Sequence, residues 1–572
     1  MRLFDRFKQD KLFLIILSAV LILGIFIRLY EFSEVGYWND DVSTIPTGLL
    51  VFYPSQFFPG LSGQGEPILG NLIIGAGCML SGEDFSRVSE IKPMFYAGRE
   101  ILIGEQLINA FPYCHLPIYL FGIFFFLIIS LLAIFILDRY SSIFAISFYA
   151  FYPSLLQFSR WVHVDVIGYV FIALGLLFLW KAYSSEETKK EAFLFVLSFI
   201  SFALSSATKL SNGIFLFFAM FILIEKYKTE FFEIIKKIGA KLDLGIFKKF
   251  EPRTDMNYLR LIKIFVLSLV SYIVVFLIPF KLNPKNLFDV VTKYQSINPE
   301  DSKLTINTDI FRSILNFLIT VNIIDIILLF FSLVIFIKLI RAKKDRKEKF
   351  VLYLFSLFIV SLIFFRALIY QRVFTALSIG LIFLMSLAFS EKSYSIHNLF
   401  RIKRKKEFLV ISLLIYIILS FTVALSVSPH FESKNPTICK FYPSRCRLNL
   451  ISFVQKDIAD YLNNTLTDNE TFFWPLSDVL YYYIRQEQGL QKYLFDQYFI
   501  ERFNRYPTAQ EQVNYFKPNN QNVRYIILEA FDGKDDDEFK INLKGQYLPN
   551  HIIYSNKIEA ALIYDLENLT KK

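Results

Sequence analysis

The sequence predicts a polytopic α-helical membrane protein with a C-terminal α/β domain outside the bilayer, and three observations carry this. Of 572 residues, 54% are apolar. They gather into eleven runs, and the pattern then stops, leaving polar sequence from residue 429 to Lys572. At roughly 20 residues per crossing, eleven crossings use about 220 residues and leave about 350 for loops and an external domain. A single soluble domain is excluded. The 61 Lys and Arg against 51 Asp and Glu give a net charge of +10. These charges cluster between apolar runs, which assigns them to membrane topology and not to a nucleic-acid partner. With 65 Phe and 32 Tyr, no single aromatic residue is informative by its presence alone.

The runs lie near 12–30, 116–137, 142–158, 165–183, 192–207 and 212–225, then, after a basic loop, near 263–280, 318–340, 350–367, 372–390 and 408–428. The first is too long for the apolar core of a signal peptide and no small-residue cleavage pattern follows it, so it reads as a retained span with the N-terminus cytoplasmic. Charge placement agrees. Ten Lys or Arg fall in 225–263 and only three in the much longer 31–114, as expected if the former stays inside. An odd span count then puts 429–572 on the outer face. This divides the chain into a membrane domain, 1–428, containing a long outer loop at 31–114, and an external domain, 429–572.

All four cysteines, Cys78, Cys114, Cys439 and Cys446, fall in segments read as external. Cys439 with Cys446 would close a short loop and is the preferred disulfide; Cys78 with Cys114 is the second, and free thiols stay open. Three sequons, at Asn463, Asn469 and Asn568, also lie in the tail. In that tail LISFVQKDIADYLN has helical spacing, ETFFWP reads as a strand before a turn and a helix capped by Ser477 or Asp478, and RYIILEA, HIIYS and AALIYDL read as strands. No catalytic motif is visible there.

The outer loop 31–114 is far longer than a connection between two spans requires, which points to function. It opens with YWNDDVS, placing Asp40 and Asp41 within about ten residues of the first span, and it contains an apolar run near 68–80 too short to cross, read as an interfacial or re-entrant helix. Adjacent carboxylates beside a membrane could supply a general base or hold a divalent cation, Mg or Mn. They could equally cap a loop helix, with Ser43 and Thr44 assisting. The sequence requires no cofactor.

Further ionisable residues sit where the spans end. QFSRWVHVDVIGY puts Arg160, His163 and Asp165 in a junction of a few residues, where they either pair with one another or serve a charged ligand. SSATKLSNG puts Lys209 at the end of the fifth span, and FFRALIYQRVF puts Arg366, Tyr370 and Arg372 between the ninth and tenth. Such cations suit a lipid phosphate, Arg as a two-pronged donor and Lys as a point charge, unless they are only snorkelling anchors.

YWNDDVS, GEPILG, SRWVHVDVIGYVFIALGLLFLWKAY, SSATKLSNGIFLFF and YQRVFTALSIGLIFL, in this order before a soluble tail, resemble the GT-C superfamily of integral-membrane glycosyltransferases. The likeness is to the branch of protein O-mannosyltransferases and aminoarabinose transferases that use polyprenyl-phosphate sugars. SRWVHVD after the acidic pair is the most specific match. The resemblance implies a GT-C-like membrane domain and an inverting transfer of sugar from a dolichyl- or undecaprenyl-phosphate donor to a protein, lipid or glycan acceptor. It makes Asp40 the base, beside Asp41 where many relatives carry Glu. It gives Arg160, Lys209, Arg366 and Arg372 to the donor phosphate, and Glu66, His163, Asp165 and Tyr370 to substrate. Glu66 departs from the His often found before the proline of GEPILG. No WWDYG-type signature occurs, which argues against transfer of a whole oligosaccharide. Two alternatives remain, a transporter or flippase of lipid-linked sugar and a non-catalytic assembly subunit. Against a transporter, the notable charges gather at span ends instead of the bilayer midplane, and the halves show no convincing repeat.

Overall fold

The computed structural model describes residues 11–30, 41–53, 68–86, 104–160, 163–232, 258–280, 282–285, 288, 323–341, 344–364, 378–392, 404–426, 455–466, 470–473, 522–529, 547–555, 558–565, 568 and 570–571. It is mostly helical. The membrane part comprises α1 (Lys11–Leu29), α2 (Asp41–Leu49), α3 (Ile68–Met79), α4 (Gly104–Ile136), α5 (Arg139–Phe151), α6 (Pro153–Phe158), α7 (Asp165–Ser184), α8 (Thr188–Thr208), α9 (Ile214–Lys226), α10 (Tyr258–Leu277), α11 (Ile323–Arg341), α12 (Arg346–Phe364), α13 (Ile379–Ser386) and α14 (Lys405–Ser426). All eleven apolar runs carry helix. With its backbone bonds made internally, a helix leaves the hydrocarbon no unpaired peptide group.

Among the described residues six helical stretches, Lys11–Leu29, Asn109–Ile136, Asp165–Ser184, Lys189–Thr208, Arg260–Phe280 and Lys406–Leu425, are long and apolar enough to cross a membrane. The chain is therefore a multi-pass membrane protein. Two of the other runs are interrupted. Pro153 separates α5 from α6, and a 3-10 turn, Leu210–Gly213, precedes the 13-residue α9. α11 and α12 carry charged residues within their ends, Asp325, Lys338 and Arg341 in the first and Arg346 and Glu348 in the second. The second span differs from expectation at its start, because α4 begins at Gly104 and runs through Pro112 and Pro117. Prolines are tolerated in membrane helices because neighbouring groups take up the backbone partners they free.

In the tail, α15 (Gln455–Thr465) precedes a four-stranded sheet of β1 (Glu470–Phe473), β2 (Asn522–Glu529), β4 (His551–Ser555) and β5 (Ile558–Asp565) in the order β1-β2-β5-β4. β1 and β2 are parallel and the other pairs antiparallel, with Ile527 opposite Ile563. β3 (Tyr547–Leu548) pairs separately with β6 (Thr570–Lys571). The alternation of RYIILE and ALIYD thus becomes a sheet, as expected. The helix expected after Ser477 and the pair Cys439 and Cys446 lie outside the described residues. One contiguous buried cluster joins Ile458, Leu462, Tyr525 and Ile563 of the tail with Ile45, Ile74, Cys78 and Val166 of the membrane part.

At the opposite end of the bundle, polar ties fix the helix starts. Asp138 caps α5, its Oδ1 accepting from Ser141 N at 3.1 Å. Buried Glu191 of α8 accepts from Arg260 Nη2 of α10 at 3.0 Å and lies 3.2 Å from Lys226 Nζ of α9. Asp345 and Glu348 cap each other's backbone at 2.8 and 3.0 Å, a reciprocal arrangement that starts α12. Lys392 Nζ bridges both carboxylates, at 2.8 Å from Asp345 and 2.6 Å from Glu348.

That bridge predicts a pH dependence. Partial burial works against the Asp345 charge, but Lys392 and the backbone N–H groups of Glu348 and Lys347 outweigh it and hold the carboxyl below 3.8. Burial likewise works against Lys392, yet Asp345 and Glu348 hold it above 10.5. The Asp345 contribution is present above pH 3.8 and is lost as pH falls through its lowered folded value; that of Lys392 is full below pH 10.5 and lost as pH rises through its raised folded value. At 43% and 49% exposure solvent screens the pair, so Lys392→Met should destabilise at pH 7 by about 1 kcal/mol or less. Unfolding midpoints in detergent should show this difference narrowing below pH 3.8. A difference unchanged with pH would contradict the assignment.

Candidate active site

Four of the ionisable residues singled out in the sequence fall within the described side chains, at the junction where α6 ends, α7 begins and α8 ends. Asp165 is the first residue of α7, where the helix dipole favours a carboxylate. Lys209 is the C-cap of α8. Asp165 Oδ1 accepts from Lys209 Nζ at 2.6 Å, and Oδ2 lies 2.7 Å from His163 Nδ1. The same Nδ1 accepts from the Asp165 backbone N–H at 3.3 Å. All three are nearly out of solvent, with side-chain exposures of 3% for Asp165 and His163 and 12% for Lys209. A buried charge is tolerated only when paired and hydrogen-bonded.

The scaffold behind this cluster comes from SSATKLSNG. Ser205 Oγ donates to Gly168 O at 3.0 Å, Thr208 Oγ1 donates to Ser205 O at 2.6 Å, and Asn212 Nδ2 donates to Ser205 O at 3.4 Å. A Cβ on Gly168 would stand 2.7 Å from Asn212 Nδ2 and 2.8 Å from Thr208 Oγ1, so glycine is what lets α7 approach the end of α8. Register between these helices sets the Asp165 to Lys209 distance.

Arg160 does not pair with Asp165. Its guanidinium, 1% exposed, donates from Nη2 to Ile27 O at 2.9 Å and to Tyr30 O, at the C-terminal end of α1. Arg28, which the sequence reading did not single out, is equally buried. It donates from Nη1 to Gly24 O at 2.7 Å and Ala150 O at 3.3 Å, donates from Nη2 to Tyr149 O at 2.8 Å, and lies over the Phe126 ring at 4.5 Å. Two arginines therefore fix the place where the chain leaves α1 for the acidic pair. The only sequence signal for Arg28 is a lone cation within the last turn of an apolar run, which reads equally as a snorkelling anchor. Asp325 of α11, accepting from Tyr416 Oη at 3.0 Å, was missed for the same reason.

Asp41 opens α2, with Asp40 directly before it. The capping alternative and the catalytic one thus concern the same helix start. Asp40, Glu66, Arg366, Tyr370 and Arg372 lie outside the described residues, and of Asp41 only its place in the helix is described. α2 packs on α3, the short apolar helix expected near 68–80, with backbone against backbone. A Cβ on Gly75 would stand 2.3 Å from the Gly48 carbonyl carbon, and one on Gly48 would stand 2.1 Å from Asn71 O. α3 in turn meets the junction, since a Cβ on Gly70 would stand 2.6 Å from Val164, the neighbour of Asp165. A disulfide between Cys78 and Cys114 ties α3 to α4, so the second of the two pairings considered forms. The helix that Asp41 opens is thus connected to the Asp165 cluster through rigid contacts. Gly75→Leu should separate α2 from α3, costing about 1–3 kcal/mol by overpacking and lowering turnover at least 10-fold; normal unfolding temperature and turnover would refute the contact.

Among the described residues no group of three His, Cys, Asp or Glu side chains could hold a metal. Two carboxylates at Asp40 and Asp41 would supply only part of the six oxygens that Mg demands, the rest coming from water or substrate.

The described residues form a helical membrane bundle with ionisable residues gathered at span ends beside a long loop, and part of this chain matches a known family. Residues 93–284, a third of the chain, match the family model described as dolichyl-phosphate-mannose-protein mannosyltransferase; this stretch contains Arg160, His163, Asp165 and Lys209 and bears out the resemblance drawn from their motifs. No curated protein matches. Solved structures similar to the chain include ArnT from Cupriavidus metallidurans bound to undecaprenyl phosphate, at 12% identity and TM-score 0.44, and the same protein in the apo state, at 11% and 0.47; each comparison covers 96% of this chain and 97% of that one. The Archaeoglobus fulgidus oligosaccharyltransferase tethered with an acceptor peptide is similar at 12% identity and TM-score 0.43, over 92% of this chain and 70% of that one.

Proposed function

We propose that this chain transfers a single sugar from a polyprenyl-phosphate donor to a protein, lipid or glycan acceptor at the outer face of the membrane, with inversion at the anomeric carbon. The observation that carries the reading is the buried Asp165, His163 and Lys209 cluster at a span end, connected through α3 to the helix that Asp41 opens and lying within the segment that matches the mannosyltransferase family. Asp40 takes the proton of an acceptor hydroxyl as its oxygen forms a bond to the anomeric carbon. The bond from that carbon to the lipid phosphate breaks, and the polyprenyl phosphate leaves with the electron pair. Charge then grows on the phosphate, and fixed cations stabilise it without reorganising. That work falls to Lys209, held by Asp165, together with Arg160, Arg366 and Arg372. Glu66, His163 and Tyr370 contact substrate. Asp41 supports Asp40, and a divalent ion, if bound, would sit at that pair.

The orientation follows the charge asymmetry of the loops, with 1–11 and 225–263 cytoplasmic and 429–572 outside. Incubating the purified protein in lipid with a panel of polyprenyl-phosphate sugars and candidate acceptors, followed by product analysis, tests the reading. Glycosylated acceptor and free polyprenyl phosphate are expected. Movement of the intact donor across vesicles without a transfer product would replace it with a flippase.

A further inference from the structure

α3 stands between the two halves of the proposed site. It packs on α2, which Asp41 opens, on α4, and on α7 and α8, whose adjoining ends hold Asp165 and Lys209. Residues 71, 74, 75 and 78 recur at helical spacing and form one face of α3. Within that face Ile74 and Cys78 are wholly buried, and Gly75 meets the backbone of Gly48. Asn71 is its polar member. The residue is 2% exposed, and its side-chain Oδ1, out of solvent, has no hydrogen-bond partner among the described residues. A buried acceptor without a donor is costly, and native proteins carry few of them.

The place of Asn71 narrows what that oxygen serves. Past Cys78, which is bonded to Cys114, the chain continues toward the start of α4, where Glu83 Oε1 accepts from Asn109 Nδ2 at 3.0 Å. There Phe85 N donates to Tyr53 Oη at 3.2 Å, just beyond the end of α2. α2 and α3 therefore run in the same direction, and their starts, with Asp41 and Asn71, face the same way. That way is toward the junction, because a Cβ on Gly70, the neighbour of Asn71, would meet Val164 directly before Asp165. An amide oxygen only accepts, so the group that satisfies it carries an O–H or N–H. The phosphodiester of a glycosylated polyprenyl phosphate and its hydrocarbon chain have neither. The sugar has several hydroxyls, and in an inverting displacement it lies between the base and the departing phosphate.

We propose that Asn71 is a sugar-recognising residue of the transfer site, its Oδ1 accepting a hydrogen bond from a hydroxyl of the donor's sugar. The inference rests on the transfer reading above and adds to it the residue that tells a glycosylated polyprenyl phosphate from the bare lipid phosphate. The cations meet the phosphate that both lipids carry, whereas Asn71 meets what only one of them carries. Empty, the site keeps a buried oxygen unsatisfied; the sugar hydroxyl removes that penalty on binding.

The test measures binding to the full-length protein in detergent, using polyprenyl phosphate bearing mannose, glucose, galactose or aminoarabinose and the same lipid phosphate without sugar. The unmodified protein should bind at least one glycosylated lipid. Asn71→Ala and Asn71→Leu should each weaken that lipid roughly 3- to 10-fold, the loss of one net hydrogen bond, and leave affinity for the bare phosphate unchanged. Without ligand, Asn71→Leu should hold or raise the unfolding temperature, since it keeps the branched shape and removes the unsatisfied oxygen. A lowered unfolding temperature in both variants, with equal weakening toward glycosylated and bare lipid, would make Asn71 a packing residue and overturn the proposal. An affinity ratio unchanged in both variants, as expected if a buried water alone satisfies Oδ1, would overturn it too and leave the transfer reading standing. An unmodified protein that binds none of the four glycosylated lipids would remove the transfer reading and this inference with it.

Discussion

Asp40→Asn is expected to lower turnover about 100-fold or more, with expression and donor binding nearly intact. Asparagine keeps the size and hydrogen-bonding reach of aspartate but cannot accept the acceptor's proton, and loss of a positioned general base costs on the order of 10²–10⁴ in rate. Asp41→Asn should cost less. If the pair instead holds a divalent ion, both variants fail alike and chelation inactivates the unmodified protein. If the two carboxylates serve only to start α2, Asp40→Asn lowers stability by about 1 kcal/mol or less, since asparagine also caps well, and leaves turnover per folded molecule unchanged. Single-turnover rates with donor bound beforehand separate these outcomes, and full activity in Asp40→Asn would move the proton transfer to Asp41 or Asp165.

The second large effect belongs to the buried pair of Lys209 and Asp165. If Lys209 holds the donor phosphate as proposed, Lys209→Met should remove a charge-assisted contact worth roughly 1.5–3 kcal/mol, equivalent to roughly 10- to 100-fold in donor KM. It also leaves Asp165, 2% exposed, without its lysine. Breaking a buried pair from one side typically costs about 3–5 kcal/mol. The double variant Lys209→Met with Asp165→Asn should therefore regain much of the stability that the single variant loses, since no uncompensated charge remains, without regaining donor use. Recovery of both would mean that the pair only holds α7 to α8. Recovery of neither would mean that His163 and Asp165 have a role beyond orienting the lysine. For the arginines between the ninth and tenth spans, Arg372→Lys should recover only part of what Arg372→Ala loses, because the planar fork is gone.

What the sequence revealed and what it concealed divide along a physical line. Spans were legible because hydrocarbon imposes one local requirement, an unbroken apolar run with its backbone bonds closed internally, and every such run carries helix. The strands of RYIILE, HIIYS and ALIYD were legible from a similarly local pattern. Pairings were not. Asp165 stands five residues from Arg160 in the chain, yet it meets Lys209, 44 residues away, because the α7 to α8 crossing at Gly168 brings that lysine to the helix start while Arg160 turns back to the carbonyls of α1. The Cys78 to Cys114 bridge likewise depends on α3 lying against α4, which spacing does not encode. Pro112 and Pro117 concealed the early start of α4, since both would end a helix in water. The membership of Lys209, His163 and Asp165 in the candidate site could be read from their place at span ends; the arrangement among them could not.

The burial of Arg28 bears on how the protein is made. Its partners Tyr149 O and Ala150 O lie 121 and 122 residues further along the chain, and at about 5–20 residues per second a ribosome needs roughly 6–24 seconds to supply them. During that interval the first helix is in the membrane with a guanidinium that only its own Gly24 carbonyl and the headgroup region can satisfy. The helix should wait with its end raised to the lipid surface and settle inward when α5 arrives. Correct seating of the first helix is in that sense a late event of biosynthesis, and a chain released before residue 150 should present Arg28 to water-soluble labelling reagents that the finished protein excludes.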